Sequence, residues 1–288
     1  MHEGQVTANG LRFSYLAEGP EDGPLALCLH GFPDTAHGYR YLLPALAGAG
    51  YRAVAPWMRG YAPTEVPSDA AYQQGALGAD ACALHDALGG DGRAVLVGHD
   101  WGAFAAHSAA PLSPARWRRV VTMAVPPPAI LGQSFLRYDQ LRMSFYVFLF
   151  QTPLAEAVLA MDDVDFLGRL WADWSPGYDA AWDVAKVKEA LATPANVAAA
   201  LGYYRAMFDP SLAQDAYAAA QGAIGTPPQP TLHLQGTDDG CMPVDPALDV
   251  AGALSAGSRY VRVGGAGHFL HLERPDEVNA HILGFLAD

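Results

Sequence analysis

Ala94-Val95-Leu96-Val97-Gly98-His99-Asp100-Trp101-Gly102-Ala103 reads as a short apolar strand running straight into a tight turn and then an alanine-rich helix. The turn has a small residue two positions either side of its centre, because a side chain at either place would clash across the bend. Such a turn holds its middle residue exposed, at the N-terminus of the helix that follows. In serine hydrolases the pattern is G-x-S-x-G; here the centre is Asp100, and no G-x-S-x-G occurs in the chain. A carboxylate at a helix N-terminus is favoured in its ionised form, and it can attack an electrophilic carbon to form an ester. Asp is also a good helix N-cap, so the turn alone leaves a capping role open.

The rest of the chain repeats the strand–helix theme. Apolar runs at Leu25–Leu29, Ala53–Ala55, Val120–Ala124, Thr231–Leu234 and Tyr260–Val263 each have the length of a buried strand. Val6, Leu11, Phe13 and Tyr15 flank Asn9-Gly10, which predicts a hairpin over 5–18. Tyr72–Leu88 places Leu77, Ala81, Leu84 and Leu88 at helical spacing, and Glu277–Leu286 predicts a C-terminal helix after Pro275. Buried strands alternating with helices imply an α/β fold with a parallel sheet covered on both faces. The alternation stops between Pro126-Pro127-Pro128 and Thr226-Pro227-Pro228. The segment between is helical in pattern and rich in aromatic residues, among them Phe145, Trp171, Trp182 and Phe208. Because proline ends regular elements, the chain divides into a first core part (1–126), an inserted helical cap (127–225) and a second core part (226–288). Packing of the same helices as an extra layer is the alternative.

Composition narrows the function. Of 288 residues, 51% are hydrophobic and 16% charged, which gives ample material for a core and argues against disorder. The net charge is −13, opposite to what a nucleic-acid binder needs. No apolar run approaches the ~20 residues of a membrane-spanning helix, and no secretory signal is visible at the N-terminus. Cys28, Cys82 and Cys241 lack C-x-x-C spacing and suggest free thiols in a reducing cytoplasm. There is no P-loop and no H-E-x-x-H, and His268-x-x-His271 has no further ligands at metal spacing. Gly48-Ala-Gly50 precedes a strand instead of following one, unlike a dinucleotide fingerprint. The expectation is therefore no cofactor and no metal, no nucleic acid and no membrane.

Three further loops bear on the chemistry. The strand Leu25–Leu29 exits into His30-Gly31-Phe32-Pro33-Asp34. A glycine-rich exit beside the turn at Asp100 can place the Phe32 amide with that of Trp101 as an oxyanion pocket, though an ordinary strand-end turn also fits. Thr231–Leu234 leads into Gly236-Thr237-Asp238-Asp239, with a carboxylate where open α/β sheets bind ligands. Tyr260–Val263 leads into Gly264-Gly265-Ala266-Gly267-His268. Nucleophile, acid and histidine thus occur in the chain order of α/β-hydrolases.

Over nearly its whole length the chain resembles the α/β-hydrolase superfamily. Gly98-His-Asp-Trp-Gly102 and His30-Gly-Phe-Pro33 are similar to motifs of its epoxide hydrolases, on the Asp-nucleophile branch shared with haloalkane dehalogenases. The resemblance implies an α/β-hydrolase fold, a mostly parallel eight-stranded sheet with helices on both faces and an inserted helical cap. It implies catalysis by Asp100, His268 and Asp239. The family spacing of Gly, Asp and Pro selects Asp239 over Asp238, through Gly236 and Pro243. His271 is the weaker base candidate, and Cys241 lacks a nucleophile turn. Tyr146-Val-Phe-Leu-Phe-Gln-Thr-Pro153 and Gly202-Tyr-Tyr-Arg205 look like the two cap segments that donate hydrogen bonds to an epoxide oxygen, which maps the donors onto Tyr146 and Tyr204. Tyrosines in an aromatic layer can also be packing residues. His30, Pro33 and Phe150 are expected at the substrate.

The implied activity is hydrolysis of a small apolar epoxide by water to a 1,2-diol through an Asp100 ester. Dehalogenation by the same residues, with Trp101 holding halide, is the alternative; Phe32, where dehalogenases typically carry Asn, and the tyrosines argue against it. A ligand-binding protein without turnover is the third reading. The chain departs from the family at Pro56-Trp57-Met58-Arg59-Gly60-Tyr61-Ala62, where Trp57 replaces a usual Asp, and at Gly202, where Asn is usual. Monomer and homodimer remain equally open.

Overall fold

The computed structural model describes residues 1–161, 165–245 and 247–288. Eight strands form one sheet: β1 (His2–Ala8), β2 (Leu11–Glu18), β3 (Leu25–Leu29), β4 (Arg52–Pro56), β5 (Val95–His99), β6 (Arg119–Met123), β7 (Thr231–Gly236) and β8 (Arg259–Val263). Their order is β1-β2-β4-β3-β5-β6-β7-β8. β2 runs antiparallel to β1 and β4, and every other pair is parallel. The hairpin turns on Asn9 and Gly10, both at positive φ, as a two-residue connection requires. All residues of β3, β5 and β7 are buried; β3 and most of β5 accordingly read as apolar runs without alternation, while β7 buries Thr231, His233 and Gln235 among its leucines.

Helices α1 (Leu42–Gly48), α2 (Gln74–Ala87) and α3 (Trp101–Leu112) lie in the first core part. Eight more separate β6 from β7: α4 (Pro128–Ser134), α5 (Tyr138–Met143), α6 (Phe145–Leu149), α7 (Ala155–Ala160), α8 (Asp165–Trp174), α9 (Ala181–Ala190), α10 (Pro194–Phe208) and α11 (Ala218–Gly222). After β8 come α12 (Leu270–Glu273) and α13 (Pro275–Ala287). The sequence pattern located α2 and α13 to within two residues at each end. α2 begins after Gln73, whose backbone is extended. Among the described residues no helix is long and apolar enough to cross a membrane.

The helices between β6 and β7 meet the core at loops that leave the C-terminal ends of strands. Trp171 of α8 donates its indole N–H to the Pro33 carbonyl at 2.8 Å. The Trp174 carbonyl accepts the His268 and Gly240 amides at 2.9 and 3.1 Å. Tyr203 of α10 donates to the Arg59 carbonyl at 2.8 Å. Arg59 is itself fixed by two 2.6 Å bonds to Asp80 of α2, from Nε and Nη2. Burying such a pair costs desolvation that close bidentate geometry offsets. The 57–61 loop is therefore a rigid shelf beneath α10. Residues 162–164 of the expected cap segment lie outside the described residues.

Candidate active site

Asp100 lies between β5 and α3 with φ 49 and ψ −118. Glycine is obligatory on both sides of it. A Cβ on Gly98 would sit 2.2 Å from the Gly102 carbonyl oxygen, and one on Gly102 only 1.8 Å from that of Leu29. The β3 exit approaches just as closely, since a Cβ on Gly31 would lie 2.3 Å from Asp100 Oδ1. That approach lets the Phe32 amide donate to Asp100 Oδ1 at 2.8 Å. The Trp101 amide is the first of α3 and has no acceptor within its helix. The two oxygens of Asp100 are thus inequivalent: Oδ1 takes the amide, while Oδ2 lies 3.7 Å from His268 Nε2.

His268 follows β8 and is fully buried. Its Nδ1 lies 3.1 and 3.2 Å from the two oxygens of Asp239, which follows β7. A carboxylate can only accept, so Nδ1 carries a proton and Nε2 faces Asp100. Asp239 is held by the Cys241 and Met242 amides at 2.8 and 2.9 Å and by Gln235 Nε2 at 2.9 Å. Burial pushes the Asp100 carboxyl up, but the adjoining His268 outweighs it and holds the group below the usual carboxylate range. Burial likewise pulls His268 down, while the carboxylates of Asp239 and Asp100 hold it up to about 10.

Asp100 opens on a cavity of about 340 Å³ whose wall is mostly apolar, with Trp101, Phe104, Leu131, Phe135, Val147, Met207, Phe208 and Met242 on it. Tyr146 and Tyr204 line the same cavity, with ring centroids 5.7 Å apart. Burial pushes both phenols well above their ordinary range, so they are neutral hydrogen-bond donors.

Residues 24–275 match the model of the alpha/beta hydrolase fold family. The chain belongs to this family. It is 31% identical to epoxide hydrolase A of Mycobacterium tuberculosis, over 98% of this chain and 96% of that one. It is 32% identical to epoxide hydrolase 3 of Xenopus tropicalis, over 97% of this chain and 76% of that one. Among solved structures, epoxide hydrolase A of Mycobacterium thermoresistibile superposes with a TM-score of 0.78 at 29% identity, covering 99% of this chain and 98% of that one.

Other residues of this α/β-hydrolase take up different positions from those the sequence suggested. His30, Pro33 and Phe150, expected at the substrate, do not line the cavity. His30 is spent on backbone: Nδ1 bonds the Gly31 carbonyl at 2.8 Å and Nε2 accepts the Met58 amide at 3.0 Å. The Pro33 carbonyl takes Trp171, as above. Phe150 stands behind the tyrosines, 5.7 Å from the Tyr146 ring and 5.1 Å from that of Tyr204. All three support the wall instead of forming it. Asp238 is exposed and bonds Thr237, away from His268. Trp57 packs against His37 and not on the cavity. The three cysteines are free and buried.

Sequence reasoning did not foresee a polar cluster behind His268. Asp34 Oδ2, His99 Nδ1 and the His271 ring nitrogens have no protein hydrogen-bond partner, and one donor atom from each side chain lies within 4.8 Å of the others. The residue types suit a metal, yet His271 Nε2 is 3.9 Å from Asp34 Oδ2, wider than the ~3.3 Å between donors of a tetrahedral zinc. His99 Nε2 donates to the His268 carbonyl at 2.9 Å. Burial pushes Asp34 up to about 8 and His99 down to about 3, so both are neutral at pH 7. The cluster braces the His268 loop without adding charge. Its members come from the loop after β3, the end of β5 and α12, and only their backbone neighbours were visible as motifs.

The raised His268 value has a consequence for stability. A group whose pKa rises on folding contributes fully below its unfolded value, near 6.5, and loses that contribution as pH climbs through the folded value. The melting temperature of the substrate-free protein should therefore fall between pH ~6.5 and about 10, and His268→Gln should flatten that stretch of the profile. Parallel wild-type and variant profiles would contradict the assignment.

Proposed function

We propose that this hydrolase opens an apolar epoxide to a 1,2-diol in two steps, beneath a cap formed by residues 127–225. The observation that carries the reading is the placement of an ionised Asp100 carboxylate and two neutral phenols on one mostly apolar cavity. Epoxide opening needs a nucleophile at carbon and an acid at oxygen, and these groups supply both. The names of the relatives point to the same reaction.

Asp100 Oδ2 attacks a ring carbon and the C–O bond breaks. Tyr146 and Tyr204 hydrogen-bond the ring oxygen, and one gives it a proton. The product is an ester of Asp100. Esterification removes the charge beside His268, which weakens the hold on its second proton; that proton passes to the tyrosinate left by the first step, and Nε2 is free to act as a base. His268, oriented by Asp239, then takes a proton from water as the oxygen attacks Cγ of Asp100. The Phe32 and Trp101 amides receive the oxyanion charge. Collapse releases the diol. One proton of the water ends on the second hydroxyl, and the other stays on His268, which restores the resting state. The diol oxygen bonded to Asp100 comes from the carboxylate, and the water oxygen stays behind on the enzyme.

Incubation with a panel of epoxides and haloalkanes tests the reading. Diol from epoxides is expected; halide release from haloalkanes with no diol from any epoxide would favour dehalogenation. Removing one preorganised donor typically costs ~10²–10³ in rate. Tyr146→Phe and Tyr204→Phe should each slow ester formation by roughly that factor, and the double variant should abolish it. Rapid-quench mass spectrometry reads the step directly, and variants as fast as wild type would exclude the phenols as donors.

A further inference from the structure

One of the two cavity tyrosines has a sulfur neighbour. Tyr146 Oη lies 3.5 Å from Cys241 Sγ, and both side chains are buried. Cys241 is two residues beyond Asp239 and gives its amide to that carboxylate. The amide group of Gln140, on α5, donates to the Cys241 carbonyl at 2.8 Å and to Ser144 Oγ at 2.9 Å. Ser144 directly precedes α6, the short helix that carries Tyr146. One carboxamide thus clamps the loop of the triad acid to the start of the tyrosine's helix, and one sulfur touches the phenol.

We propose that Gln140 and Cys241 are positioning residues that aim the Tyr146 phenol at the ring oxygen. The inference rests on the epoxide-opening reading above. A phenol must keep its oxygen in place while leaving its proton free for the substrate. Sulfur is a weak acceptor and a thiol a weak donor. The contact therefore locates the oxygen while holding its proton loosely, and little is lost when that proton turns to the epoxide oxygen. An interaction weak in the ground state and replaced by a strong one in the transition state favours rate. Burial also pushes the thiol well above its ordinary range, so no thiolate competes with Asp100 for the substrate. Without the sulfur the ring can turn away; without Gln140 the helix can shift against the triad loop.

The test uses full-length His268→Gln protein, in which the ester accumulates, with styrene oxide as probe and quenched mass spectrometry as readout. Cys241→Ala and Gln140→Ala should each slow ester formation roughly 10- to 100-fold, with a smaller change in the styrene oxide concentration giving half-maximal rate. Added to Tyr146→Phe, neither should slow the reaction further, because the group they aim is gone. Equal slowing in the Tyr146→Phe and parent proteins overturns the inference, as does no slowing by either variant. No ester in the parent protein overturns the epoxide reading and this inference with it. An infrared readout is independent of turnover. The S–H stretch of Cys241, assigned by difference with Cys241→Ala, should shift on Tyr146→Phe; an unmoved band shows that thiol and phenol do not interact.

Discussion

Asp100→Ala should abolish both ester formation and diol release, a loss of roughly 10⁶ in turnover if the nucleophile behaves as in other covalent hydrolases. The fold should survive. The turn is set by Gly98 and Gly102, whose close approaches are to backbone, and alanine keeps the positive φ of position 100 while removing a buried carboxylate. A folded protein with a cooperative melting transition is therefore expected together with a dead enzyme. Diol formation retained at more than a few per cent would mean that water attacks the epoxide directly, with Asp100 at most a base.

The second large effect belongs to His268→Gln. A positioned general base contributes ~10²–10⁴-fold, so steady turnover should fall by about that much. The first step needs no base at position 268, so the variant should stop after one turn with the substrate's mass added to the peptide carrying Asp100. The two variants differ in kind: Asp100→Ala forms no adduct, and His268→Gln forms one that persists. On the proposed mechanism Asp239 acts through the same imidazole. Its Oδ1 keeps the Cys241 and Met242 amides and its Oδ2 keeps Gln235 Nε2 without His268, so the acid loop should stay in place in the variant.

The elements that position this site were legible because each was local. Gly98 to Gly102 encode the turn by what cannot be there, and the buried strand β3 and the Val95–Val97 part of β5 announce themselves as apolar runs. The choice of Tyr204 over Tyr203 followed from motif matching, and the two residues do diverge in space, one onto the cavity and the other onto the Arg59 carbonyl. What stayed hidden depended on contacts between distant segments. His30 looked like a substrate ligand because its motif adjoins the oxyanion loop, but its ring is consumed by the Gly31 and Met58 backbone. Phe150 belongs to the right segment and stands one layer too deep. Cys241 could be rejected as a nucleophile from sequence, yet nothing there could show its sulfur against a phenol 95 positions away. The Asp34, His99 and His271 cluster is the same case, since no spacing along the chain links the three.

The ester is the claim from which everything else follows, and the fate of oxygen tests it most directly. In a single turnover with enzyme in excess over epoxide in H₂¹⁸O, the heavy oxygen should appear in the side chain of Asp100 and the first diol formed should carry none. Heavy oxygen in that first diol, with an unlabelled Asp100 peptide, would contradict the account.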